Sequence, residues 1–364
     1  MPLADDRTAK LERPRPPPPR FEPLVIVGAG FAGLSAASAA RERDLDPLVL
    51  DAGSEVGGAW NHMPPSMVCL SPRIRDRLPD GSYPGGLRER ATAAHVLDAI
   101  QAYAERARFR CELGVRVMAA ERDGGTMRLR TTTGEITAGK LVVATGEYGA
   151  PRIPRTLPIG FEGPILHSSE FRAAELMPGE RVVVIGAGNS GAEVAVSALE
   201  HGARVTVCAS EPLAPPPWEP RGPLARAMAW LASGVPVGGL PGRLGCSARV
   251  PSANPAFWDA ARHGRVRVAG RALAIESRVV RLASGEVCAA DRVVLATGFR
   301  RDLEFLGGAV RLDGDGLPLH RGGLSSDLPS VAYLGLPCLR TRRSGFLRGF
   351  TADARAVVGA LLRI

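Results

Sequence analysis

Two glycine-rich stretches in this chain have the spacing with which a backbone holds a phosphate chain. Gly28-Ala29-Gly30-Phe31-Ala32-Gly33 and Gly186-Ala187-Gly188-Asn189-Ser190-Gly191 both read G-x-G-x-x-G, about 160 residues apart. One such match is a weak signal. Two, each set between an apolar run and a helix-forming run, point to a protein that binds two dinucleotides and passes electrons between them. Gly28 permits the tight turn, Gly30 lets the backbone approach a pyrophosphate, and Gly33 lets the following helix pack close to the sheet. The helix start adds free N–H groups and the positive end of its dipole.

The flanking residues supply the elements that these loops need. Leu24 to Val27 and Arg181 to Ile185 read as buried parallel strands, and Leu34 to Ala40 and Ala192 to Ala198 as helices. A second strand, Pro47 to Leu50, ends in Asp51, 23 residues after Gly28, where a carboxylate accepts hydrogen bonds from an adenosine ribose. The matching strand of the second unit, Arg204 to Cys208, ends without an acid at Cys208 or Ala209. NADPH is therefore favoured there and NADH remains open, since no arginine stands at those positions either.

Composition removes several classes. Charged residues are 23% and hydrophobic residues 45%, ordinary for a globular protein. The net charge is +9, but the arginines are scattered and aromatics are only 5%, so no nucleic-acid role is expected. No run approaches the roughly 20 apolar residues of a membrane span. The N-terminus is charged and then proline-rich, unlike a signal peptide. Cysteines 69, 111, 208, 246, 288 and 338 form no CxxC and no zinc spacing, so no metal is expected and a reducing, cytoplasmic setting is. Nothing fixes the oligomeric state; a homodimer is compatible.

The fold class is α/β, with two Rossmann-like dinucleotide-binding domains, the NAD(P)H domain inserted into the FAD domain. Residues 1–20 form a disordered proline-rich tail, 21–160 the first part of the FAD domain, 161–300 the NAD(P)H domain and 301–364 the rest of the FAD domain. Each half has a βαβ unit, a hairpin and an Ala-Thr-Gly exit, at Ala144-Thr145-Gly146 and Ala296-Thr297-Gly298. The first hairpin spans Arg128 to Thr137 with its turn at Gly134-Glu135, and the second spans Arg278 to Cys288 around Gly285. Thr92 is the N-cap of a helix carrying Val96, Leu97, Ile100 and Tyr103. The proline- and glycine-rich segment 212–245, with Trp218 and Trp230, is an irregular excursion. A final helix, about 345 to 362, is expected to cover the flavin side.

Several further stretches carry a family resemblance. GAGFAGL is followed by Asp51 and by Gly57-Gly58-Ala59-Trp60. ATGEYGAPRIP runs from 144 to 154, and Phe161 to Phe171 fits FxGxxxHxxxF; GAGNSG and ATGFR complete the set. Together they resemble the class B flavin-dependent monooxygenases, which include the flavin-containing, Baeyer–Villiger and N-hydroxylating types.

The resemblance implies FAD on the first loop, through Gly28, Gly30, Gly33 and Asp51, with Gly58 and Trp60 near the pyrophosphate and flavin ring. It implies NADPH or NADH on Gly186, Gly188, Asn189, Ser190 and Gly191, with Thr145, Gly146 and Gly298 at the exits beside the cofactors. His167 falls at the linker between domains. The implied chemistry is hydride transfer to FAD, formation of a C4a-(hydro)peroxyflavin with O2, and oxygenation of a small molecule at nitrogen, sulfur or a ketone. The family's flavin-side asparagine has no match in Val68 to Arg73. Ser71, Arg73 and Asn61 are the candidates for its work. The alternative is an NAD(P)H-dependent reductase of a quinone, a disulfide or a protein electron acceptor.

Overall fold

The computed structural model describes residues 20–65, 67–69, 76–83, 90–155, 157–210, 254–314 and 316–364. The expected tail, Ser71, Arg73 and the 212–245 excursion lie outside the described residues.

A mixed sheet and a parallel sheet carry the two loops. In the first sheet β1 (Arg20–Val27) is central, flanked on one side by β2 (Leu48–Leu50) and then β3 (Cys111–Glu112). On the other side stands β6 (Gly134–Val143), followed by β20 (Val331–Tyr333), β19 (Leu324–Ser325) and β18 (His320–Arg321). β4 (Val117–Asp123) and β5 (Thr126–Thr131) extend from β6 as an antiparallel meander, making nine strands. Leu24, Val25 and Ile26 are fully buried, as a parallel strand covered on both faces requires.

The second sheet is five parallel strands, ordered β12 (Val266–Ala269), β11 (Arg204–Cys208), β10 (Arg181–Ile185), β16 (Arg292–Leu295) and β9 (Ile165–His167). A smaller four-stranded sheet packs beside it: β15 (Val287–Ala289), β14 (Val279–Leu282), β13 (Ala272–Ser277) and β8 (Ile159–Phe161). The chain leaves the first sheet after β6, builds the second, and returns to the first at β20. This is a mixed α/β fold with one nucleotide-type unit inserted into another. The outgoing and returning segments meet as an antiparallel pair, β7 (Ala150–Pro151) with β17 (Phe299–Arg300).

Helices α1 (Phe31–Arg41) and α3 (Asn189–Glu200) begin inside the two loops, and α2 (Ala93–Ala107) and α4 (Pro255–Arg262) cover the flanks. α2 starts where the sequence places it. The Thr92 hydroxyl accepts the His95 N–H at 3.3 Å, and the His95 side chain caps the Thr92 N–H in return. α5 (Leu347–Leu361) packs along α1, with the Phe31 and Phe350 rings 5.6 Å apart and Arg355 paired to Glu42 at 2.8 Å.

The first hairpin departs from expectation. Its turn is Thr132-Thr133, and Gly134 already opens β6. The Thr131 hydroxyl donates to the Gly134 carbonyl at 2.7 Å and accepts the Thr133 N–H at 3.2 Å, so threonines close the turn that the glycine seemed to mark. β4, joined to β5 by the Gly124-Gly125 turn, and β13 add a third strand to each hairpin. Among the described residues no helix is long and apolar enough to cross a membrane, and no group of side chains is arranged to hold a metal ion.

Candidate functional site

The two loops are built alike, and the similarity extends to individual hydrogen bonds. The Gly28 N–H donates to Leu50 O at 2.7 Å, and the Gly186 N–H to Cys208 O at 2.9 Å, each tying the loop to its second strand. The Ala144 N–H reaches Val27 O, and the Ala296 N–H reaches Ile185 O, both at 2.8 Å, so each Ala-Thr-Gly exit forms the side wall of its own loop. Both loops open at the carboxyl ends of parallel strands, where ligands of open α/β sheets bind.

The glycines fall into two kinds. A side chain at Gly33 would place its Cβ 1.8 Å from Gly28 O, and one at Gly191 would place it 2.0 Å from Gly186 O. Gly28 and Gly186 have φ of +112° and +111°, and a Cβ there would stand 2.5 and 2.2 Å from Ala144 O and Ala296 O. The fold itself requires these four. Gly30 and Gly188 differ: both are extended helix N-caps, with φ of −79° and −73° that any residue adopts. A Cβ at Gly30 would come no nearer than 3.7 Å to Gly58 Cα, and one at Gly188 would meet nothing within 4 Å. Among the described residues no close contact requires glycine at these two positions, and the open space at each could admit a pyrophosphate against the backbone. Neither helix start has a side-chain cap, so the first-turn N–H groups face the same opening. The residues fit dinucleotide phosphates at both loops.

Asp51 lies at the end of β2, its Oδ2 accepting the Ala29 N–H at 2.5 Å and its Oδ1 the Gly53 N–H at 2.7 Å. A carboxylate has about four acceptor sites, so both oxygens retain capacity for ribose hydroxyls. Gly57 docks onto the loop through its N–H to Ala29 O at 3.1 Å, and a Cβ at Gly58 would stand 3.1 Å from Gly30 Cα. The Gly58–His62 turn thus lies against the first loop, and half-buried Trp60 packs against the core formed by Phe31, Leu34 and Val96. Asn61 is folded back in this turn, its amide donating to Glu55 O at 3.3 Å. Its Oδ1 is buried without a partner, an acceptor waiting for a donor beside the first loop. At the second loop the described residues past β11 are Cys208, Ala209 and Ser210, none of them a carboxylate; Glu211, next in the sequence, lies outside the described residues.

His167 ends β9 and is fully buried. Its Nε2 is 3.0 Å from Gly298 O, its Nδ1 is 2.9 Å from Ser169 Oγ, and the Ser169 N–H approaches Nδ1 at 3.3 Å. These partners assign the proton to Nε2, which donates to Gly298, while Nδ1 accepts. The ring stands edge-on to Phe299, centroids 4.7 Å apart, and Phe299 stands edge-on to Tyr148 at 5.1 Å. Burial pulls the imidazole below its usual value, although the Gly298 hydrogen bond opposes this. His167 is thereby a neutral side chain tied to the second exit.

Thr145 and Gly298, expected beside the cofactors, are committed to the crossover. The Thr145 hydroxyl donates to Asp302 O at 3.1 Å, and Gly298 O accepts both His167 Nε2–H and, at 2.9 Å, the Arg152 N–H. Gly146 has open space around its Cα. Two features escaped the sequence. A Cβ at Gly335, just past β20, would stand 3.0 Å from Ala32 Cβ and 3.7 Å from Gly146 Cα, so the returning chain also lines the first loop. Glu147 and Arg301 form an ion pair at 3.1 Å across the crossover. Gly335 follows an apolar strand, the same signal that marks the two loops, but in a tail with no second glycine at the right spacing.

Among the described cysteines, Cys69, Cys111, Cys208 and Cys288 are free thiols. Burial pushes Cys111 up to about 11 and Cys208 up to about 12, and raises Cys288. Cys338 is disulfide-bonded, a departure from the fully reduced set expected from composition.

With this geometry in place, comparison with known proteins assigns the class. The chain belongs to the pyridine nucleotide-disulphide oxidoreductase family, whose profile matches residues 25–218. It is a flavin-dependent oxidoreductase of the two-dinucleotide-domain type. It is similar to the flavin-containing monooxygenase from Stenotrophomonas maltophilia, at TM-score 0.77 and 26% identity over 94% of this chain and 99% of that one. Indole-3-pyruvate monooxygenase YUCCA1 of Oryza sativa subsp. japonica is 28% identical over 312 residues, 77% of each chain. An uncharacterized CzcO-like oxidoreductase of Geobacillus kaustophilus is 25% identical over 346 residues, 93% of this chain and 98% of its own.

Proposed function

We propose that this chain is an FAD- and NADPH-dependent monooxygenase of small organic molecules. FAD binds at the Gly28–Gly33 loop, within residues 21–160 and 301–364, and NADPH at the Gly186–Gly191 loop, within 161–300. The observation that carries this reading is the pair of open N-cap glycines, Gly30 and Gly188, which no close contact among the described residues requires to be glycine. The absence of an acid at Cys208 and Ala209 favours NADPH over NADH, with Ser210 able to hydrogen-bond a 2′-phosphate and Glu211 weighing against it.

The bound nucleotides supply the redox chemistry: a hydride from NADPH, relayed through FAD to O2, with one oxygen atom passing to substrate and the other leaving as water. The protein binds, orients and excludes water. Asp51 accepts the adenosine ribose hydroxyls of FAD, and the uncapped start of α1 meets its pyrophosphate. Gly58 keeps the Gly57–Asn61 turn close to that loop, and Trp60 shields it from solvent. Asn61 offers its orphaned carbonyl oxygen to a donor on the bound group. Ser71 and Arg73 are proposed as hydrogen-bond and charge partners on the flavin side. Cys111 and Cys208 give no support to a dithiol reductase, because thiols at about 11 and about 12 leave too little thiolate at neutral pH to attack a disulfide.

The test supplies FAD-loaded protein with NADPH and 18O2, and with trimethylamine, methyl p-tolyl sulfide, cyclohexanone or indole-3-pyruvate. The reading requires one labelled oxygen in the product of at least one probe and one NADPH consumed per product. NADPH oxidation that yields no labelled product with any probe, yet reduces a quinone or a small disulfide, would replace the monooxygenase with a reductase.

A further inference from the structure

The two Ala-Thr-Gly exits hold each other across the crossover, and this exchange has a consequence for electron transfer. Thr145, on the first exit, donates its hydroxyl to Asp302 O on the returning segment at 3.1 Å. Thr297, at the matching position of the second exit, donates its hydroxyl to Arg152 O on the outgoing segment. Thr145 thus bonds the segment that returns from the second unit, just past β17, and Thr297 the segment that leaves the first, just past β7. The two bonds bracket the β7–β17 pair, where Phe299 faces Pro151 and Arg300 faces Ala150. A two-residue antiparallel pair is marginal by itself. The Arg152 N–H to Gly298 O bond at 2.9 Å and the Glu147–Arg301 ion pair complete the junction.

Each threonine also adjoins its own loop. The position of a Gly28 Cβ lies 2.5 Å from Ala144 O and 3.3 Å from the Thr145 nitrogen; that of a Gly186 Cβ lies 2.2 Å from Ala296 O and 3.6 Å from the Thr297 nitrogen. A continuous path therefore runs from each nucleotide loop, through its exit threonine, to the connecting segment that adjoins the other exit. We propose that Thr145 and Thr297 are positioning residues, a swapped pair of braces that sets the angle between the two nucleotide units for hydride transfer. The inference rests on the assignment of FAD and NADPH to the two loops. Hydride transfer needs its reacting atoms about 3–3.5 Å apart, and a misplacement of roughly 1 Å costs up to 100-fold in rate.

The test compares Thr145→Val, Thr297→Val and the two serine variants as FAD-loaded proteins. Rapid mixing with NADPH in the absence of oxygen gives the limiting rate of FAD reduction. Titration with NADP+ gives its Kd and the shift that it causes in the FAD absorption spectrum. Each valine variant should lose about tenfold in the limiting rate and most of the NADP+-induced shift, with Kd within about twofold of wild type. Serine, which keeps the hydroxyl, should restore both. Thr297 lies away from the FAD loop, so Thr297→Val reads the brace even where Thr145→Val loses FAD. Valine variants with the wild-type rate and shift would overturn the inference. Equal losses in the valine and serine variants would also overturn it, because the hydroxyl would then not be the cause. Wild-type FAD that NADPH neither reduces nor perturbs would instead remove the nucleotide assignment itself, and the braces with it.

Discussion

The division of the loop glycines into two kinds makes a prediction that separates folding from ligand binding at positions three residues apart. Gly188→Ala places a methyl group where none of the described residues lies within 4 Å. Its stability cost is that of an alanine N-cap in place of glycine, about 0.5–1 kcal/mol. The cost to NADPH is larger. The methyl group pushes the pyrophosphate away from the start of α3 and lengthens at least one hydrogen bond to a charged oxygen, which is worth about 1.5–3 kcal/mol. That corresponds to an increase of roughly 10- to 100-fold in Kd. Gly191→Ala should behave in the opposite way. Its Cβ would stand 2.0 Å from Gly186 O and 3.4 Å from Ala296 Cβ, so α3 must move off the sheet by an ångström or more. Overpacking of this kind costs about 1–3 kcal/mol or more, and the second unit should unfold at a visibly lower temperature. Thermal unfolding gives the first quantity, and fluorescence titration with NADPH gives the second. Gly188→Ala with a wild-type Kd, or Gly191→Ala with wild-type stability, would refute the reasoning.

Three other predictions concern the rest of the site. Gly30→Val should purify folded but without FAD, since its side chain occupies the opening at the first loop; a yellow protein of wild-type flavin content would contradict that. His167 is held neutral, its pKa below the usual value near 6.5 because burial disfavours the imidazolium. An unfolded histidine binds its proton first as pH falls, so the stability that His167 contributes is present above about pH 6.5 and is lost below it. Chemical denaturation from pH 8 to pH 5 should show this loss, and His167→Gln should flatten it; an unchanged slope would rule His167 out as the source. Finally, iodoacetamide at pH 8 should leave Cys111 and Cys208 unmodified in the folded protein, where burial holds their thiols at about 11 and about 12. Mass spectrometry that finds either one rapidly alkylated would restore a thiol role.

The fold was legible because its strongest signals are local. An apolar strand, a glycine loop and an alanine-rich helix repeat twice, and the chain has few other ways to bury Leu24 to Val27 and Arg181 to Ile185. Thr92 and its capping histidine lie within one helical turn, so that boundary could be found from the residues alone. The turn at Thr132-Thr133 could not, because it depends on where the Thr131 hydroxyl points, and Gly134 was the more conspicuous residue. In the site, the loop glycines were evident by type, but only the three-dimensional surroundings separate those the fold needs from those it does not. Thr145 shows the limit most clearly. Its motif marks it as a residue of the exit beside the first loop, but does not show that its hydroxyl bonds Asp302, 157 residues away in the chain. Gly335 was missed for the same reason: its role comes from contact with Ala32 and Gly146, which no local pattern announces.

The most direct test of the central claim follows the reduced flavin as it meets oxygen. The protein is reduced with NADPH under nitrogen, mixed rapidly with aerated buffer, and its spectrum recorded from milliseconds to minutes. The monooxygenase account predicts a spectrum belonging to neither reduced nor oxidised FAD, which persists while NADP+ remains bound and decays faster when an oxygenated probe substrate is added. Direct return to oxidised FAD, with all the oxygen recovered as hydrogen peroxide whether or not a probe is present, would contradict it.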